Sequence, residues 1–342
     1  MSAVRVRPVR GLPRLRPGDD LARLLAAALA AGGGTDEDLA DGDVVCVSSK
    51  AVAKTEGRAV TTDRESVIDS EAVRVVARRG ALQVARTRHG LVLAAAGVDA
   101  SNTETGTVVP LPLDPDDSAR RLRAELATST GCRLAVVVTD TAGRAWREGQ
   151  TDIAVGCAGL PPLVDLAGRT DAYGRMLEVT APAVADEVAA AAGLVLAKDA
   201  MTPAAVVTGL GHLLMPPGED GPGAAALTRP EEHDLFGLGS PDAVLAAVRR
   251  GDSDRAGFPV DTRALGGRVA DLVQVAAGPF GDELRIAADP ATGTVRAHGD
   301  PLAAGALGER LRVLAWAVGC SVHALARPEP GVTAAWTLTD AP

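Results

Sequence analysis

The sequence predicts an α+β protein in two parts, a larger one over residues 1–239 and a small α+β tail over residues 240–342. Three observations point there. The chain has 342 residues, enough for one large or two modest domains. Runs with a helical apolar period and short Val-rich runs follow one another through the first part. After about Ser240 the texture changes to a β-β-α-β-β pattern.

The elements follow in order. Gly18-Asp19-Asp20 precedes Leu21 to Leu29, a capped helix stopped by Gly32-Gly33-Gly34. Asp43 to Ser49 is a Val-rich strand, followed by Lys50, Lys54 and a Glu56-Gly57 turn. Ser70 to Arg79 has the pattern of a helix. Leu91 to Asp99 is a short apolar run ending in a carboxylate. Asp116-Asp117-Ser118 caps a helix to about Ala127. Leu134 to Asp140 is a second buried strand that also ends in a carboxylate. Val184 to Lys198 reads as a helix and Ala204 to Val207 as a strand. Met215 to Gly223, rich in Pro and Gly, reads as an exposed loop. In the tail, helices are expected at Asp242 to Arg250 and Leu265 to Ala277. A hairpin of Glu283 to Ala288 and Thr294 to His298 comes next, turned by Asp289 to Gly293. A helix from Leu302 to Val318 and strands at Ser321 to Ala326 and Val332 to Leu338 complete it.

Composition narrows the function. Apolar residues are 46% and charged residues 23%, ordinary for a soluble globular chain. Aromatics are only 2%, so the core is built from Ala, Val and Leu, and few platforms exist for stacking bases. With a net charge of −9 this argues against nucleic acid as a partner. An anion site here needs local cations, backbone amides or a bound metal. Cys46, Cys132, Cys157 and Cys320 form no C-x-x-C pair and read as free thiols in a reducing compartment. The histidines are scattered and support no zinc site. Met1 to Arg16 lacks the apolar stretch of a signal peptide, and no run is long enough to span a membrane. A cytoplasmic protein with no membrane partner is expected.

Common nucleotide motifs are missing. No P-loop glycine pattern precedes Lys50, Lys54 or Lys198, the only lysines in the chain, and no G-x-S-x-G elbow is present. Instead two apolar runs each end in an Asp among small polar residues, Val98-Asp99-Ala100-Ser101-Asn102 and Thr139-Asp140-Thr141. If their strands were neighbours, Asp99 and Asp140 would converge on one hard cation, with the Thr141 hydroxyl available to a second. Each Asp taken alone reads more readily as a turn or helix cap than as a metal ligand. Arg144, Arg147 and Gln150 surround Trp146 and could grip carboxylates or phosphates, or be solvated loop side chains. Lys50 and Lys54 repel each other if they share a helix face; an anion such as a triphosphate between them would remove that repulsion, or the two form a solvated face.

Taken together these pieces resemble one family, coenzyme F420-0:L-glutamate ligase, called CofE in archaea and forming the N-terminal half of FbiB in actinobacteria. The likeness runs from Gly11 to about Gly239. It is carried in order by Gly11-Leu12-Pro13, Pro17-Gly18-Asp19-Asp20-Leu21, Asp41-Gly42-Asp43 and Ser49-Lys50-Ala51-Val52-Ala53-Lys54 with Glu56-Gly57-Arg58. Then come Gly97 to Asn102, Asp114-Pro115-Asp116, Thr139-Asp140-Thr141, Gly143-Arg144-Ala145-Trp146-Arg147 and Gly149-Gln150-Thr151-Asp152. Ala185-Asp186-Glu187 and Asp234-Leu235-Phe236 end the series. Arg14, Ala53 and Thr208 depart from the residues usual in the family at those places.

The resemblance implies a CofE-like ligase fold with mixed β-sheets. It implies that Leu12, Pro13, Arg14, Leu15, Ser49, Lys54 and Asn102 contact GTP. Asp99 and Asp140 would bind one divalent ion, and Asp140 with Thr141 a second. Asp99, Asp140 and Lys54 would be the catalytic groups, and Arg144, Arg147 and Gln150 would hold substrate. Mg²⁺ or Mn²⁺, with K⁺, would be the cofactors, and coenzyme F420-0, L-glutamate and GTP the small-molecule partners of a homodimer. The implied reaction passes a phosphoryl group from GTP to a carboxylate of F420-0, and the amine of glutamate displaces it. The tail is too short for the flavin domain of FbiB, so no FMN is expected. A metal-dependent nucleotidyl or phosphoryl transferase and a GTP-binding regulatory module without turnover stand as alternatives.

Overall fold

A computed structural model describes residues 3–31, 38–79, 81–196, 202–230, 264–317, 319–326 and 328–340, together with Leu245 and Val248. The chain divides into two compact units, Met1–Arg229 and Pro230–Pro342.

The first unit rests on a five-stranded mixed sheet. Its strands are β1 (Arg5–Pro8), β2 (Val44–Ser48), β8 (Ala135–Arg144), β9 (Arg147–Ala158) and β10 (Ala204–Thr208), in the order β1-β10-β2-β8-β9. β2 and β8 are parallel, and the other pairs are antiparallel. Both faces are covered, so β2, β10 and the first half of β8, Ala135 to Val138, are apolar at nearly every position rather than alternately. Val45, Val47, Val136, Val138 and Val206 pack with α1 (Leu21–Ala31), α2 (Ser49–Thr55) and α4 (Pro115–Thr130). Val44, Cys46, Val137, Ala205 and Val207 pack with α5 (Val184–Gly193). The side-chain alternation of a strand produces this division.

A second, three-stranded sheet of β4 (Ala72–Arg79), β5 (Leu82–Thr87) and β6 (Val92–Ala94) carries a smaller core with Ala85, Ala96 and Val98. β3 (Val60–Thr61) and β7 (Thr107–Val108) pair beside it.

Several expectations change. Ser70 to Arg79 is mostly strand, because the helix α3 (Arg64–Glu71), capped by Asp63, ends where the β-branched residues of β4 begin. Asp140 lies inside β8, since pairing with β9 carries the strand on to Arg144. The cap of α4 is Asp114, whose side chain accepts the Asp117 N–H. Asp116 is turned to other work, accepting the N–H groups of Cys157 at 2.8 Å, Ala224 at 2.6 Å and Ala225 at 3.1 Å. α5 ends at Gly193. Gly32 to Gly34, Lys198 and Asp234 to Phe236 lie outside the described residues. So does the helix expected at Asp242 to Arg250, apart from Leu245 and Val248, which are helical. β1 was not foreseen; its Arg and Val alternate on an edge strand.

Gly156 shows how closely β9 passes α4. A Cβ there would overlap the backbone carbonyl of Pro115. Gly156→Ala is expected to destabilise the first unit by about 1–3 kcal/mol, read from urea unfolding. A midpoint equal to that of the unchanged chain would show that the two segments can part freely.

The four cysteines are free. Burial pushes the Cys157 thiol up to about 12 and that of Cys46 higher still. A thiol reagent at neutral pH should therefore label half-buried Cys132 well before Cys46 or Cys157 in the folded protein. Mass mapping of the labelled chain checks this order.

In the second unit, α6 (Leu265–Ala277) and α7 (Pro301–Ala317) pack with an antiparallel sheet. Its strands are β11 (Leu284–Asp289), β12 (Thr294–Gly299), β13 (Cys320–Ala324) and β14 (Ala334–Asp340), in the order β11-β12-β14-β13. Val269, Leu272, Val295, Leu307, Leu311, Trp336 and Leu338 form the core. Gly308 on α7 leaves room for the Trp336 ring, which a Cβ would meet at 2.7 Å. Among the described residues, no helix is long and apolar enough to cross a membrane.

Candidate functional site

The parallel register of β2 and β8 creates the site. Ser48 pairs with Thr139, so the next residues, Ser49 and Asp140, leave the pair side by side. Ser48 caps α2, accepting the Ala51 N–H at 3.4 Å, and the chain turns into the helix there. Ser49 donates its hydroxyl proton to Asp140 Oδ1 at 2.8 Å. Burial pushes the Asp140 carboxyl up to about 6; the Ser49 bond opposes this, while the charges of Asp99 and Asp152 add to it.

Asp99 reaches the same place by another route. β6 belongs to the second sheet and is not a neighbour of β8 there, so the two carboxylates do not meet as the ends of adjacent strands. After β6 the chain passes through Ala95 and Ala96, both with φ of +51°. That left-handed conformation costs an alanine about 1–2 kcal/mol. Here it aims the following segment at α2. Asp99 and Val109 then exchange backbone bonds of 3.0 and 2.8 Å. The Asp99 carboxylate accepts from Ser101 N at 2.6 Å and Ser101 Oγ at 3.1 Å, and meets Lys50 Nζ at 2.5 Å. Burial alone would raise its pKa, but the bonds from Lys50 and Ser101 outweigh it and hold the carboxyl below its usual range.

The two lysines of α2 fasten this loop. Lys50 Nζ donates to Ser101 O at 2.7 Å and Ser101 Oγ at 2.6 Å, and Lys54 Nζ donates to Asn102 O at 2.8 Å. Asn102 has a φ of +52°, a conformation asparagine tolerates better than most residues. Burial lowers the pKa of Lys54, and the charges of Lys50 and Arg14 lower it further. Cations are thus crowded at this end of α2.

Of the residues expected from sequence, Ser49, Lys54, Asp99, Asn102 and Asp140 come together here, with Arg14 near enough for its charge to act on Lys54. Arg14 itself is exposed and pairs with Glu104 at 3.0 Å. Leu12 and Leu15 are half-buried against the core, and Pro13 is exposed. Thr141 donates its hydroxyl proton to Asp152 Oδ1 at 2.9 Å. Arg144, Arg147 and Gln150 stand exposed on the β8–β9 hairpin, where Arg144 donates to Glu148 O at 2.8 Å. Sequence reasoning missed the grip of Lys50 on Asp99 and the place of Asp152 beside Thr141. The spacing of Lys50 and Lys54 was the only signal for the first. The second depends on the register of β9, which no local pattern encodes.

The donors are carboxylate and hydroxyl oxygens, the set a hard divalent cation takes. Among the described residues, no three His, Cys, Asp or Glu side chains converge closely enough to hold a metal by themselves. Such a site fits Mg²⁺ or Mn²⁺ carried by one or two carboxylates together with phosphate oxygens and water, and does not fit a structural zinc.

Comparison with known proteins agrees in one direction. The family model described as F420-0:Gamma-glutamyl ligase matches residues 11–209, more than half of the chain. The coenzyme F420:L-glutamate ligase of Methanothermobacter thermautotrophicus is 41% identical over 252 residues, covering 67% of this chain and 96% of that protein. Its namesake in Methanopyrus kandleri is 36% identical over 258 residues, covering 69% and 98%. The one in Archaeoglobus fulgidus is 38% identical over 228 residues, covering 60% and 88%. The whole cluster around Ser49 and Asp140 lies inside the matched region, and the second unit lies beyond it.

Proposed function

The chain belongs to the F420-0:gamma-glutamyl ligase family, and we propose that it joins L-glutamate to coenzyme F420-0 by an amide bond at the expense of GTP. The observation that supports this most is the cluster around α2, where Lys50 pairs with Asp99, Lys54 bonds the Asp99 loop at Asn102, and Ser49 bonds Asp140, which feels the charge of Asp99. Phosphoryl transfer asks a protein for charge neutralisation and alignment more than for covalent help, and these are the groups for it.

In this reading the γ-phosphoryl group of GTP passes to the terminal carboxylate of F420-0. The acyl phosphate so formed is attacked at its carbonyl carbon by the amine of glutamate. The new C–N bond replaces the C–O bond, the amine loses a proton, and phosphate leaves. Lys54 holds phosphate oxygens, with Ser49 and the segment Leu12 to Leu15 alongside and Asn102 facing the nucleotide. Asp99 and Asp140 would hold one Mg²⁺ or Mn²⁺, and Asp140 with Thr141 another. When bound, such ions neutralise charge on the transferring group. Asp152 accepts the only proton of the Thr141 hydroxyl, which leaves the lone pairs of that oxygen free for a cation. Arg144, Arg147 and Gln150 stand exposed, able to meet an anionic substrate arriving from solvent.

The test is mass spectrometry of F420-0 incubated with the protein, GTP, glutamate and Mn²⁺. A product heavier by one or more glutamyl groups, with GDP and phosphate released in step, is expected. Release of pyrophosphate would instead indicate a nucleotidyl transferase, and GTP binding without turnover a regulatory module.

A further inference from the structure

Lys50 is outside the set of residues assigned above to nucleotide, yet its ammonium is the most fully bonded group of the site. Its three protons are matched by three acceptors: Asp99 Oδ2 at 2.5 Å, Ser101 Oγ at 2.6 Å and Ser101 O at 2.7 Å. Its side chain is 17% exposed, against 33% for that of Asp99. The carboxylate that faces the site is therefore already neutralised by a cation from the chain itself. A divalent ion bound to Asp99 at about 2.0–2.2 Å would sit within a few ångströms of that ammonium. Two like charges so close repel strongly where water is partly excluded. The loop does not need Lys50 for its position, because the Asp99–Val109 backbone bonds and the Lys54–Asn102 bond hold it independently.

We propose that Lys50 is a resident counter-cation, which yields Asp99 to an incoming divalent ion and turns to the anionic groups held beside it. This rests on the divalent-ion reading given above. Its consequence is a linkage: Lys50 opposes metal binding while paired with Asp99 and becomes a free cation only once the metal has bound.

The experiment measures binding of Mn²⁺ alone to the full-length protein by electron paramagnetic resonance of the free ion. Unchanged protein is compared with K50M, K50Q, K50R, D99N and D140N, each checked for a cooperative melting transition. K50M and K50Q are expected to bind Mn²⁺ about tenfold more tightly than the unchanged protein. K50R, which keeps the charge, should bind it as the unchanged protein does. D99N and D140N should bind it poorly. Unchanged or weaker binding in folded K50M and K50Q, with D99N and D140N impaired, overturns the role of Lys50 alone. Binding in K50R as tight as in K50M overturns it as well. Normal binding in both D99N and D140N, or no binding by any of the proteins even when a non-hydrolysable GTP analogue is added and its own Mn²⁺ uptake subtracted, removes the metal site and this inference with it.

Discussion

Replacing Asp140 by asparagine is expected to lower the rate of GDP release by roughly a thousandfold while the chain still folds. Asp140 is placed by the sheet itself, one residue beyond the last paired position of β2 and β8, so its backbone does not depend on its charge. Its side chain is held by Ser49 Oγ, and an asparagine oxygen can accept the same proton. What is lost is the negative charge. That charge is costly where it stands, since burial and the nearby Asp99 and Asp152 all disfavour it. The sign is therefore clear: the asparagine variant, freed of metal by a chelator, should melt no lower than the unchanged protein. Loss of turnover together with retained stability would mark Asp140 as a group kept for chemistry rather than for folding. Turnover within a factor of a few of the unchanged rate would sink the assignment.

The second large effect is expected at Lys54. Lys54→Ala should weaken GTP binding by about ten- to a hundredfold, or about 1.4–2.8 kcal/mol. Lys54 lies among like charges, with Lys50 four residues before it on α2 and Arg14 close by, and burial adds to the cost of its ammonium. An anion brought there relieves both penalties at once, so nucleotide phosphate is bound by a group that is otherwise poorly compensated. The bond from Lys54 to Asn102 O also steadies the loop, but Lys50 and the Asp99–Val109 bonds remain in the variant. The melting temperature should therefore move little while calorimetric affinity falls. An unchanged affinity would show that the phosphates lie elsewhere.

The legible parts of this chain are those where one local pattern has one outcome. The apolar runs Val44 to Val47 and Ala135 to Val138 can be satisfied only as strands buried on both faces, and they are. The hairpin of β11 and β12 follows from Asp289 and Gly293 around its turn, with Asp289 accepting from Ala291 N at 3.0 Å and Thr292 Oγ1 at 2.7 Å. Ser70 to Arg79 was misread because its valines suit either period, and the partner β5 decided between them.

The order of motifs along the chain was enough to indicate the family and to single out Asp99, Asp140, Ser49 and Lys54, because residue identity and spacing along a chain are one-dimensional facts. How these residues meet was settled in three dimensions. One carboxylate enters from the middle of a strand in the central sheet. The other is carried in by a loop that follows two left-handed alanines, and an ammonium from α2 meets it there. Strand register, left-handed turns and long-range ion pairs depend on segments far apart in sequence packing together, and the energies that select them exist only once those segments are in contact.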